Sequence, residues 1–158
     1  MAQSSIQHIK RINWNKLDLS DEVNIAAQMI VSDIRQGIQR GLDINDNTFI
    51  RLKDSTVRSK RKKGSKNPSK PLWDEGIMKE VYVKPLATKA KPRAKIRAPK
   101  GKGRTSRVKV GIIHNTGDGV PKRQWFGIGS RVAAKLDKAM KLQLKEKLKI
   151  GRILGPKL

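Results

Sequence analysis

Apolar residues fall into two long stripes with helical spacing, one near each end of the chain. Val23, Ala26, Ala27, Ile30, Ile34 and Ile38 recur at three- and four-residue steps, which puts them on one face of a helix. Ser20 is a suitable N-cap, Asp21 and Glu22 suit the positive end of the helix dipole, and Gly41 is a natural stop. This pattern predicts a helix over 21–40. Val132, Leu136, Met140, Leu144 and Leu148 recur at every fourth position behind Ser130, with Ala133 and Ala139 beside them. They predict a second long helix, which ends around Gly151 and Pro156. Between the stripes the period shortens to two. Residues 77–83 alternate and are rich in β-formers, predicting a strand. Val108, Val110 and Ile112 alternate with Lys109, Gly111 and Ile113 and predict a half-buried strand, and Ile96 and Ala98 suit a short one. The expected fold is α+β, an antiparallel sheet of three to four strands packed against two long helices.

The remaining segments are polar and basic. Residues 1–19 carry Ile6, Ile9, Ile12 and Trp14 among polar neighbours without a clear period. They read as an N-terminal arm that docks on a neighbour or as a loose lead-in to the first helix. Residues 20–150 form one domain with basic insertions at 51–70 and 85–107, and 151–158 form a tail. Within the first insertion, Asp54, Ser55 and Thr56 cap a short helical turn ending near Lys63. The second reads as a long hairpin whose tip is PKGKGR, residues 99–104. Both insertions are expected to order only on assembly.

Composition sharpens this picture. The 158 residues include 37 Lys and Arg against 13 Asp and Glu, a net charge of +24, with 36% hydrophobic and 4% aromatic content. One modest core is available, and the surface attracts polyanions: nucleic acid, an acidic protein face or an acidic membrane. The chain has no Cys, which excludes disulfides, thiol nucleophiles and thiolate metal sites. It has no run suited to a membrane span or signal peptide, so synthesis in the cytoplasm and no membrane contact are expected. The D-x-N-D-N run at 43–47 lacks the glycine and closing glutamate of a calcium loop and reads as a polar connector. GKGRTS, residues 101–106, lacks the spacing of a phosphate-binding loop. The two histidines, His8 and His114, have no carboxylate placed beside them, and no nucleophile elbow is present. No catalytic residue, metal site or cofactor is therefore expected.

The most distinctive stretch is VGIIHNTGDGVPKRQWFGIG, residues 110–129. Gly117 and Gly119 flank Asp118 and give cheap access to positive φ, Pro121 stiffens the return, and Trp125 with Phe126 offers a core or interface anchor. His114, Gly117, Val120, Pro121, Arg123, Phe126 and Gly127 match H-x-x-G…I-P-A-R-x-F-L-G, a pattern of phage virion morphogenesis proteins, the tail-completion and neck proteins that include the Mu-like tail protein G group. Lys122 and Trp125 depart from it. Upstream, LKDSTVRSKRKKG…KPLWDEGIM resembles the same family's L-S-P-S-T-x-x-x-K-x-K-x-G…K-P-L-x-D-T-G-x-L, with Glu75 in place of Thr.

The resemblance implies a structural virion protein at the head–tail junction or upper tail end. Such a protein would form a ring, with six subunits expected, beside portal, neck, tail-tube or sheath proteins. It makes His114, Arg123 and Phe126 candidate interface residues, with Arg123 pairing an acidic group on a neighbour, while Trp73 and Trp125 are interface candidates as aromatic anchors on their own chemistry. Arg61, Lys62, Lys63, Lys100, Lys102 and Arg104 are candidate contacts to DNA phosphates, made without sequence preference, or to an acidic partner. The competing reading is a basic nucleic-acid-binding protein of ribosomal type, which the Lys-rich extensions and small core suit equally.

Overall fold

The first apolar stripe forms α1, Ser20–Arg40. Its N-terminus is capped from one step further out than Ser20. Leu19 occupies the N-cap position and the Asp18 carboxylate accepts the Ser20 N–H at 2.9 Å, which helps hold the Asp18 carboxyl below its usual range. Gly41 closes the helix at φ 76°, and the Leu42 N–H reaches back to the Gly37 carbonyl at 2.9 Å. This is the left-handed stop that a glycine makes cheap. The computed structural model describes residues 17–73, 80–98 and 107–153.

The architecture among these residues corrects the expected α+β sheet-and-helix sandwich. Four helices, α1, α2 (Asp54–Lys62), α3 (Arg107–Thr116) and α4 (Ser130–Ile153), accompany one two-stranded antiparallel sheet, β1 (Tyr82–Val83) and β2 (Ile96–Arg97). Tyr82 pairs with Arg97 and Val83 with Ile96. The first half of the predicted 77–83 strand lies outside the described residues. The predicted strand over Val108–Ile113 is instead α3. Its apolar residues satisfy both periods, as short apolar runs do, and packing decides. Gly111 is buried, Val110, Ile113 and His114 are half-buried, and Ile112, which the strand reading paired with Val110, is 57% exposed. The Trp125 indole N–H bonds the Gly111 carbonyl at 2.9 Å, at a position with no side chain to hold the ring away.

Val31, Ile34 and Ile38 of α1, with Phe49, Val81 and Trp125, form the core, and Leu72, Trp73, Ile96 and Phe126 pack around it. Side chains of α1 also tether the hairpin. The Asn24 amide exchanges two hydrogen bonds with the Ala87 backbone, at 2.7 and 3.0 Å, and Arg35 donates to the Val81 carbonyl at 2.7 Å. This hairpin turns at Thr88–Lys91; the expected hairpin tip at residues 99–104 lies outside the described residues. Neither insertion is a plain loop: the first holds α2, the second this tethered hairpin. No helix among the described residues is long and apolar enough to cross a membrane.

Candidate functional site

The stretch 114–127 forms one closed loop built around Arg123. Gly117 and Gly119 take φ of 85° and 65°, turning the chain at the end of α3, where the Gly117 N–H still reaches the Ile113 carbonyl at 2.8 Å. A β-carbon on Gly117 would lie 2.9 Å from that of Lys122, so the two limbs of the loop are in contact. The Arg123 N–H bonds the His114 carbonyl at 2.7 Å and closes it. The Arg123 side chain is 3% exposed with the rest of the residue. It donates to the Ile50 carbonyl at 3.0 and 3.3 Å, to the Pro121 carbonyl at 3.3 Å, and to His114 Nδ1 at 3.2 Å. The Asn115 side chain accepts the Phe126 N–H at 3.1 Å, and Trp125 meets Phe126 edge-on with ring centres 5.3 Å apart. Backbone polar groups of an irregular segment must find partners when buried, and this loop finds them in its own side chains.

The His114–Arg123 contact fixes a protonation state. A guanidinium can only donate, so His114 Nδ1 accepts and its proton sits on Nε2. Burial first, and the Arg123 charge second, lower the His114 pKa below its ordinary 6.5. An unfolded chain therefore binds a proton at this residue before the folded one does. Stability contributed here is complete above pH 6.5 and falls as pH drops toward the depressed folded value. The slope for one proton is at most about 1.4 kcal/mol per pH unit. Urea denaturation between neutral and mildly acidic pH should show this slope, and His114→Gln should flatten it. An unchanged slope in the variant would remove the residue from the linkage.

The upstream motif is held by a second buried cation. Lys60, 9% exposed on α2, donates to the carbonyls of Lys70 at 2.9 Å, Trp73 at 2.8 Å and Asn67 at 3.4 Å. Between the first two lies Leu72, whose φ of 57° is left-handed, a conformation that costs a residue with a β-carbon about 1–2 kcal/mol. Lys60 grips the backbone on both sides of this strained residue, while the Lys70 ammonium lies 5.2 Å from the Trp73 ring centre. Lys60→Met should cost about 2 kcal/mol, the scale for carbonyls stripped of a charged donor, and should open 65–73 to protease. A variant as stable and as resistant as the parent would show that the grip is idle.

A third junction docks α4. Arg131 makes a two-pronged bond to Asp33 of α1, Nε–Oδ1 at 2.7 Å and Nη2–Oδ2 at 2.9 Å, with both side chains over nine-tenths buried. It also donates to the Asp43 carbonyl and to Asp46 Oδ1 at 3.2 Å. The hydrogen bond from Asp33 chiefly raises the Arg131 pKa above its ordinary value. Asn45 caps α4 by accepting the Ser130 N–H at 3.2 Å. The polar connector at 43–47 is thus the seat of α4, folded by its own Asp43 carboxylate, which accepts the N–H groups of Asn45 and Asn47. At the far end of the pair, Lys147 binds Glu22 at 2.7 Å and the Asp18 carbonyl.

The candidate residues separate accordingly. Arg123 and Trp125 are interior, each 3% exposed, and the Arg123 guanidinium donates to carbonyls and to His114 of its own chain. Trp73, His114 and Phe126 are half-buried. Phe126 and Trp125 help line a mostly apolar cleft of about 390 Å³, together with Tyr82, Ile96, Arg97 and Ile112. Arg61, Lys62 and Lys63 are exposed at the end of α2, and Lys100, Lys102 and Arg104 lie outside the described residues. Among the described residues no cluster of His, Asp and Glu could hold a metal ion. Sequence reasoning missed Arg131, Asp33 and Lys60. The usable signal was Arg131 in the first turn of a helix with no acidic residue there, a cation against the helix dipole that calls for a carboxylate from elsewhere. No family model, curated protein or solved structure matches this chain.

Proposed function

We propose that this chain is a structural subunit of a tailed-phage particle, placed at the head–tail junction or the upper end of the tail and assembled there as a ring. The observation that supports this reading is where the two motif stretches fall. Each is built around a buried cation bonded to backbone carbonyls, Arg123 in one and Lys60 in the other. Residues that shape backbone in this way serve a scaffold, whose task is to present fixed surfaces to neighbours. The surface so presented carries the excess of a +24 chain, which suits a place where DNA and acidic protein surfaces meet.

The competing reading, a ribosomal-type protein, is favoured by the exposed basic residues on α2 and the hairpin. Fractionation separates the two. Quantitative mass spectrometry of purified particles and of ribosomes from the same infected cells should find the chain in the particles, at a fixed copy number. Finding it in ribosomes and not in particles would overturn the proposal.

A further inference from the structure

We infer that the outer face of the β1–β2 hairpin is a contact surface for the phosphodiester backbone of nucleic acid, read without regard to sequence. Along the second strand the chain alternates. Ala94 and Ile96 are half-buried and line a groove against α1 and α4, while Arg93, Lys95 and Arg97 are exposed on the opposite side. The register that pairs Val83 with Ile96 brings Lys84 opposite Lys95, and the Lys84 N–H bonds the Lys95 carbonyl at 2.8 Å. Two lysines therefore face each other across a ladder, with Arg97 next to them, its Nε tied to the Lys84 carbonyl at 2.8 Å. Like charges directly opposite on one sheet face destabilise a hairpin. Among the described residues no carboxylate forms an ion pair with Lys84, Arg93, Lys95 or Arg97. Three cations elsewhere are matched, Arg131 with Asp33, Lys147 with Glu22 and Lys141 with Asp137, but what sets the hairpin apart from other exposed lysines is the cross-strand pairing of its charges on one sheet face. The hairpin holds its unmatched charge on a backbone anchored by Asn24 and Arg35, so the repulsion is relieved by an anion from outside rather than by the hairpin splaying.

Chemistry favours phosphate over an acidic protein face. Protein interfaces bury an apolar or aromatic centre and are depleted in lysine. Here lysine and arginine are the most numerous exposed side chains, beside Pro85, Thr88, Ala90 and Pro92, with Leu86 the one exposed large hydrophobic side chain among residues 82–98. Alternate residues of a strand project at about 6.7 Å intervals, roughly two 3.4 Å steps of one duplex strand, so Lys95 and Arg97 can meet phosphates along one backbone. This inference holds under either reading of the protein's place in the cell.

The test compares two triple variants of equal charge, Lys84→Gln/Arg93→Gln/Lys95→Gln on the hairpin and Lys135→Gln/Lys138→Gln/Lys145→Gln on the exposed side of α4. Fluorescence anisotropy with a short duplex and a single strand, across a salt series, reads the binding. The hairpin variant should lose about 10–100-fold in affinity for both near 0.15 M salt, and its log K against log [salt] should be shallower by about 2–3, one step per lost phosphate contact. The α4 variant should change about threefold or less. Equal losses in both variants would mean that bulk charge alone binds and would overturn the inference, as would poly-glutamate competing as well as DNA per unit charge. A loss confined to the single strand would also overturn it, by pointing to stacking on Tyr82. Should the triple variant fold poorly by circular dichroism, Lys95→Gln alone should flatten the slope by about 1, and an unchanged slope would again contradict it.

Discussion

Arg131→Met should remove a large share of the chain's stability, about 3–5 kcal/mol, the range for removing one partner of a buried ion pair. A domain of this size has only about 5–15 kcal/mol in total. The cause is what the substitution leaves behind. Asp33 is 7% exposed on α1, and without the guanidinium its carboxylate has lost both charged donors. The Asp43 carbonyl and Asp46 carboxylate lose their shared partner as well, so the loop that seats α4 loosens at the same time. Arg131 joins α1 and the 43–47 connector to a helix more than 80 positions later, and its loss should therefore lower the cooperativity of unfolding as well as its midpoint. Urea denaturation of the variant measures both. The double variant Asp33→Leu/Arg131→Met should recover part of the loss, because an apolar pair in a buried site is often no worse than an ionic one. A single variant within about 1 kcal/mol of the parent would show that α4 is held by its apolar stripe alone.

Gly129→Ala should cost about 3–4 kcal/mol, above the usual penalty for an overfilled site. A β-carbon there would lie 2.0 Å from the Ile44 carbonyl oxygen and 2.6 Å from the Ile44 β-carbon. Backbone cannot step aside cheaply, and this backbone is tied on every side. The Ile44 N–H bonds the Gln124 carbonyl at 2.9 Å, the neighbouring Asn45 caps Ser130, and Arg131 holds Asp43 and Asp46. The sign of the effect is diagnostic, since at an uncrowded position beside a helix alanine for glycine gains up to about 1 kcal/mol. Gly119→Ala is the control. Its φ is 65° with nothing near, so only the left-handed backbone penalty of about 1–2 kcal/mol applies. Equal costs at the two positions would remove the close approach as the cause.

The sequence made the two long helices legible because each buries a stripe with a clean helical period, and Gly41 marks the first stop. The sheet was misread for a physical reason. Val108, Val110 and Ile112 are β-branched and alternate, yet Val110, Ile113 and His114 share a helical face, and tertiary packing, including the Trp125 indole on the Gly111 carbonyl, decides between them. That bond spans 14 residues, beyond any local window. The β1–β2 hairpin, with its turn at Thr88–Lys91, was not the one expected, whose tip at PKGKGR lies outside the described residues; no Gly or Asn marks the turn that forms. Motif residues in 110–129 were legible as special, while their side-chain environment was not. Arg123 looks like a surface cation in the sequence, and it is interior because the carbonyls of Ile50 and Pro121 and the His114 imidazole satisfy its guanidinium. The seat of α4 at 43–47 was invisible, since its polar residues act on a helix that begins more than 80 positions later.

These features give the candidate virion subunit a definite physical character: a small helical body with internally neutralised junctions and an outward face of unmatched positive charge. The body and the face can therefore be altered separately by variants. Arg131→Met and Gly129→Ala act on the body, and the hairpin triple variant acts on the face.

The most direct measurement is electron microscopy of particles assembled from a phage genome in which this gene is interrupted. The expected result is full heads and tails that fail to join, or tails of uncontrolled length, with joining restored when the intact gene is supplied. Normally joined, infectious particles in its absence would contradict a structural role at the head–tail junction or tail end.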